Sequence, residues 1–166
     1  MKNGMKKIII ASSFVLCLIF CVSCAEKPIE INIRDLADNL MGSFDLANTV
    51  EYDESMIQTY YGIGNKDVKQ IIVLKELDVN SAEVIILLEA IDKDKAKEIE
   101  NNLKENKTYK LNELKDYTAN PDNERQYYIV EKSEIVVKQN YVFWAVNDKT
   151  KEINDAIDEY INNNNK

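Results

Sequence analysis

The sequence predicts an α+β domain: an antiparallel sheet of about four strands with helices packed on one face, preceded by N-terminal helices. Three observations predict it. Stretches with apolar residues at helical spacing alternate with runs rich in β-branched residues. The stretch "SEIVVKQNYVFWAV" reads as a hairpin with a tight turn at Gln139 and Asn140. A hexapeptide also recurs: "DKAKEI", Asp94 to Ile99, matches "DKTKEI", Asp148 to Ile153, at five of six positions. Each copy is expected to follow a strand and open a helix. Taken as a repeat, the echo makes the body two ββα units; the alternative is coincidence in a chain rich in Lys, Asp and Glu.

Element by element, Ile33, Leu36, Ala37, Leu40, Met41 and Phe44 fall at the spacing of an amphipathic helix that ends near Gly42 and Ser43. Asp53 can cap a second, short helix carrying Met56, Ile57, Tyr60 and Tyr61, and Gly62 and Gly64 suit its C-cap and a turn. "VKQIIVLKEL" is a strand by its β-branched content. "AEVIILLEAI" carries an apolar run long enough for a helix, but Val84, Ile85 and Ile86 favour a strand, a central one with both faces apolar, with Asp92 as the cap of the next element. From Asp92 the period turns helical, with Ala96, Ile99 and Leu103 on one stripe. "YKLNELKDYTANPDNERQYY" is expected to be a connecting region, with room for a helical turn before the turn at "NPD". Ile153, Ala156, Ile157, Tyr160 and Ile161 define a last helix, and "NNNNK" reads as a frayed tail.

The N-terminus reads as an address. "MKNGMKK" is cationic, and "IIIASSFVLCLIFCVS" is an uncharged run of about sixteen residues, short for a membrane span of roughly 20. All three cysteines, Cys17, Cys21 and Cys24, lie here, so no disulfide can staple the body. "CVSC" resembles a bacterial lipobox, with the small residue Ser23 directly before Cys24; the usual leucine three places before the acylated cysteine is here Cys21. That resemblance implies cleavage between Ser23 and Cys24 and a lipid on the Cys24 sulfur. The alternative is an uncleaved anchor with bystander thiols. The expected division is a lipoprotein signal peptide over 1–23, lipidated cysteine and tether over 24–32, a single α+β domain over 33–161 and a polar tail over 162–166. The expected location is the extracytoplasmic face of the cell membrane.

The order of helix, "YYGI" turn, hairpin, Lys/Glu-rich helix, "YYIVEKSEIVVKQNYVFWAV" and final helix resembles the domain of unknown function 4358, a family of lipoproteins mainly from clostridia and related Gram-positive bacteria. The resemblance runs from about Ile31 to Ile161. That family usually has glycine at the hairpin turn, where Gln139 stands here. The resemblance implies no activity, substrate or catalytic residue.

Composition narrows the chemistry. The net charge is −8, and leaving out Lys2, Lys6 and Lys7 takes it to −11, which argues against nucleic acid as a partner. With no histidine and no mature free thiol, Ser-His-Asp and Cys-His catalysis and His-based zinc sites are excluded. No P-loop is present, and "DKDKAKE" lacks the glycine and spacing of a calcium loop. No catalytic residue, metal or cofactor is expected. Among the carboxylates, Glu89, Asp92 and Asp94 form the least implausible acid set, though surface acids near a helix cap explain them better. Tyr60, Tyr61, Tyr117 and Trp144 suggest a binding surface, against core and rim packing as the simpler reading. The expected function is a non-catalytic binding or structural module, its partners membrane lipid through Cys24 and an envelope protein or polysaccharide. The alternatives are a small carboxylate-dependent wall hydrolase, or an accessory or sensor subunit of a membrane protein.

Overall fold

Asn32 sets the start of the first helix. Its side chain accepts from the Arg34 and Asp35 N–H groups (3.0 and 3.2 Å), so α1 runs Ile33–Ser43 with Ile33, Leu36, Ala37 and Leu40 buried. The computed structural model describes residues 27–115 and 121–165. After α1 come β1 (Thr49–Glu51), α2 (Glu54–Tyr61), β2 (Val68–Glu76), β3 (Val84–Ala90) and α3 (Lys93–Lys115). Next are α4 (Pro121–Lys132), β4 (Ile135–Lys138), β5 (Tyr141–Val146) and α5 (Thr150–Asn164).

The α+β class and the antiparallel sheet are as expected. The caps also fall as read: Asp53 accepts from Met56 N–H, Asp92 accepts from Lys95 N–H, and Gly62 ends α2 at φ +69°. The sheet has five strands in the order β1-β2-β3-β5-β4, one more than expected. The extra strand, β1, is three residues long, too short for alternation to announce it.

The helices lie on both faces of the sheet and not on one. Every residue of β3 and β5 is buried, and a strand apolar on both sides has two faces to cover. Val84, Ile86, Leu88, Val142, Trp144 and Val146 pack with Ile57 of α2, with Ile99 and Leu103 of α3 and with Ile129 and Val130 of α4. Ile85, Leu87, Phe143 and Ala145 pack on the other side with α1 and with Ile153, Ile157 and Ile161 of α5.

This decides the echo. The order ββα recurs, but α3 and α5 sit on opposite faces. A two-fold axis through the antiparallel β3–β5 pair would put both on the same face, so the two units are not related by symmetry. The shared hexapeptide marks similar helix openings only.

"YKLNELKDYTANPDNERQYY" is helical over far more than a turn, at both of its ends. Its start is the last part of α3 and its end lies in α4, which opens at Pro121, the helix position proline favours. The stripe weakens beyond Leu103, because only Leu114 of the later α3 residues is buried. The asparagine tail is likewise shorter than read: α5 continues to Asn164.

Residues 27–32 are docked and do not form a loose tether. Gln139 Nε2 donates to the Lys27 carbonyl (2.8 Å) and its Oε1 accepts from Ile29 N–H (3.1 Å). Tyr141 Oη accepts from Ile31 N–H (3.1 Å), and Asn165 Oδ1 accepts from Glu30 N–H (2.9 Å). Gln139 occupies the left-handed region at φ +56°, a conformation costing about 1–2 kcal/mol for a residue with a Cβ. Its two side-chain bonds, each contributing about 0.5–1.5 kcal/mol, offset that cost. Glycine would relieve the strain but lose the clasp.

Candidate binding groove

The registers place Val50, Lys75, Val84 and Val146 side by side across four strands. This row forms one end of the sheet face that carries α2, α3 and α4. There the helices leave a groove of about 540 Å³. Trp144 contributes to its lining from β5, Val130 from α4, Tyr60 and Tyr61 from α2, and Asn106, Tyr109, Lys110 and Glu113 from α3. The β2–β3 loop supplies Leu77, Val79, Ser81 and Ala82.

Three of the four residues singled out in the sequence as a binding surface, Tyr60, Tyr61 and Trp144, therefore meet in one groove. Tyr117 lies outside the described residues, as do Ser23 and Cys24. The three differ in character. Tyr60 is 60% exposed, while Trp144 is 4% exposed and donates from Nε1 to Ser133 Oγ (2.9 Å). Ser133 in turn donates to the Val130 carbonyl (2.7 Å). The Tyr60 ring is 5.5 Å from that of Tyr52, also a lining residue. Burial pushes the Tyr61 phenol well above its ordinary range, and the neighbouring Tyr52 and Tyr60 add to the effect.

Lys75 is the unexpected member. Strand parity puts it on the same face as Val73, two residues earlier and fully buried. Its ammonium is half-buried and donates to the Ser81 carbonyl (2.7 Å) and the Glu76 carbonyl (3.4 Å). Burial pulls its pKa below the usual lysine value, and Lys110 adds to that. Apolar side chains stand exposed around the groove, with Val79 90% exposed, Leu77 61% and Tyr109 72%, beside the charged Glu76, Lys110 and Glu113.

The acid set does not assemble. Glu89 faces the α1/α5 side, held by Lys69 (2.7 Å), Gln70 (3.0 Å) and Asn140 (2.9 Å). Asp92 is a helix cap and Asp94 lies in the first turn of α3. Among the described residues no group of three or more acidic, His or Cys side chains is arranged to hold a metal ion, and no helix is long and apolar enough to cross a membrane.

Sequence reasoning missed Tyr52, Lys75, Tyr109 and the rim residues. Lys75 was readable from strand parity. Tyr109 was hidden because its segment read as a connection.

The charges make a testable pH profile. Arg34 holds the Glu51 carboxyl below its ordinary value through two bonds (2.6 and 2.8 Å), and Lys104 and Lys97 do the same for Glu100. A depressed carboxylate stabilises the fold above its unfolded pKa, near ~4, and that contribution is lost as pH falls through the folded value. Tyr61 is the opposite case: its contribution is complete below the unfolded phenol value of about 10 and is lost above it. For Lys75, lowered by burial, stability rises as pH climbs from its folded value towards the unfolded value of about 10.4. The chain has no histidine to add a step near neutrality. Urea midpoints should therefore fall on the acid side, as the depressed carboxylates protonate, with no step near neutrality. A step in stability between pH 6 and 8 would contradict this.

The model of the family described as Domain of unknown function (DUF4358) matches residues 42–147. No curated protein and no solved structure matches the chain. The matched stretch contains all five strands and the whole groove, whereas most of α1 and all of α5 lie outside it.

Proposed function

The chain belongs to the DUF4358 family, and from that premise we propose that it is a lipid-anchored module of the bacterial cell envelope that works by binding and not by catalysis. The observation that carries the binding half is the convergence of Tyr60, Tyr61 and Trp144 on a groove with apolar side chains exposed to solvent around it. Exposed apolar side chains around a concave aromatic site are what a partner covers. The partner is a protein or polysaccharide of the envelope.

The anchor half is supported by the sequence, where Ser23 and Cys24 close the apolar run. Each acyl CH₂ buried in lipid contributes about 0.8 kcal/mol, and two chains make attachment effectively permanent. Protein purified from its native host should have lost residues 1–23 and gained lipid mass, and Cys24→Ser should abolish both. A native N-terminus at Met1, or acyl label on the variant, removes the anchor reading.

Binding is tested separately. Co-sedimentation with purified cell-wall sacculi, and photo-cross-linking from the groove in intact envelopes, should both weaken when Tyr60 and Tyr109 are changed to serine. Attachment that ignores both tyrosines removes the groove.

A further inference from the structure

We propose that the groove takes an apolar ligand bearing a single carboxylate, with the carboxylate seated on the Lys75 ammonium. The inference rests on the groove of the binding reading above and narrows its occupant to an apolar carboxylate, carried by a peptide end or by a free acid.

Lys75 sits between Val50 and Val84 in a cross-strand row whose other members are all valine. An ammonium removed from water without a counter-charge is costly. Lys69, Lys95, Lys97, Lys104, Lys110, Lys138 and Lys151 each form an ion pair with a described carboxylate. Lys75 forms none with any described residue, a pattern it shares with Lys107, which also donates to two carbonyls; Glu76, Asp78 and Glu83 act on its charge only from a distance, and of the two lysines only Lys75 lines the groove. Its acceptors are two neutral carbonyls, which leaves one of its three N–H groups for an occupant. Tyr61 has a mostly buried ring in the same groove, and its hydroxyl donates to no described residue.

Spare donors this few suit one carboxylate. A phosphate group has more oxygens to satisfy and recruits arginine forks. Both arginines are engaged elsewhere, Arg34 with Glu51 and Arg125 with Glu83 and Asp148. The tyrosines and the exposed Leu77 and Val79 provide for the apolar body.

The chain has one tryptophan, and Trp144 lines the groove, so its emission reports occupancy. The full-length chain in nanodiscs is titrated with 4-phenylbutyrate and its amide, and with N-acetyl-Ala-Leu and its C-terminal amide. Each acid should bind about tenfold or more tightly than its amide, the usual margin of a charge-assisted hydrogen bond. Lys75→Met should bring the acids down to the amides and leave amide binding unchanged. This variant keeps the apolar stem and should resist urea at least as well as the parent. The tighter of the two acids shows whether the natural occupant is a free acid or a peptide C-terminus.

Acids and amides binding alike, or an acid preference that survives Lys75→Met, overturns the inference and leaves the groove standing. If no probe alters Trp144 emission the inference also fails, and the tyrosine variants above then decide the groove separately.

Discussion

Replacing Trp144 by alanine is expected to lower stability by about 3–5 kcal/mol, the range for deleting a large aromatic side chain from a core. Trp144 is almost fully buried among Ile86, Val130 and Ile135, and its indole N–H is tied to Ser133. Trp144→Phe keeps most of the packing and leaves the Ser133 hydroxyl without its donor, so a loss of about 1–2 kcal/mol is expected. Urea unfolding monitored by circular dichroism reads both. A Trp144→Ala variant as stable as the parent would mean that the ring belongs to the groove alone. The expected result assigns it both roles: one side is core, and the other closes the floor of the groove.

Ending the chain after Asn147, where the family match ends, should abolish cooperative folding. The truncation removes Ile153, Ile157 and Ile161, which cover Leu87, Phe143 and Ala145. Burying an isoleucine contributes about 1.5–3 kcal/mol, so the three together contribute roughly 5–9 kcal/mol. A whole domain has only about 5–15 kcal/mol to lose. The truncated chain should bind a hydrophobic dye and unfold without a sigmoidal transition. A sharp transition close to that of the full chain would show that α1 alone can cover this face. The expected outcome sets the folding unit wider than the stretch recognised by the family model.

Most of the fold was legible because its signals are local. Asp53, Gly62 and Asp92 announce helix ends through side-chain and backbone chemistry that needs no tertiary partner. The all-apolar run from Val84 announced a central strand, and that same property implied helices on both faces. The one-face expectation did not carry that implication through. The second half of α3 was hidden because its apolar stripe thins out past Leu103, leaving a polar stretch that resembles a loop. β1 was hidden because three residues have no period. Of the groove, the tyrosines were visible as a composition. Their meeting place depended on the register that brings Val50 opposite Lys75 and Val84 opposite Val146, which no single segment contains.

The clasp on Gln139 has a consequence for how the molecule stands on a membrane. Residues 27–32 are fastened at the Gln139–Asn140 end of the strands, while the groove opens at the Val84 and Val146 end. β5 runs from one end to the other, a rise of about 17 Å over its length. With Cys24 acylated, only Ala25 and Glu26 would separate the lipid-bearing residue from the fastened segment, a reach of at most about 10 Å. Such a stalk would keep the Gln139–Asn140 end of the sheet close to the bilayer. The groove would then lie at the end of the sheet farther from the anchor, about one strand length away. Changing Gln139 to glycine would slacken the stalk, and with it the heading of the groove, while the groove itself stayed as it is.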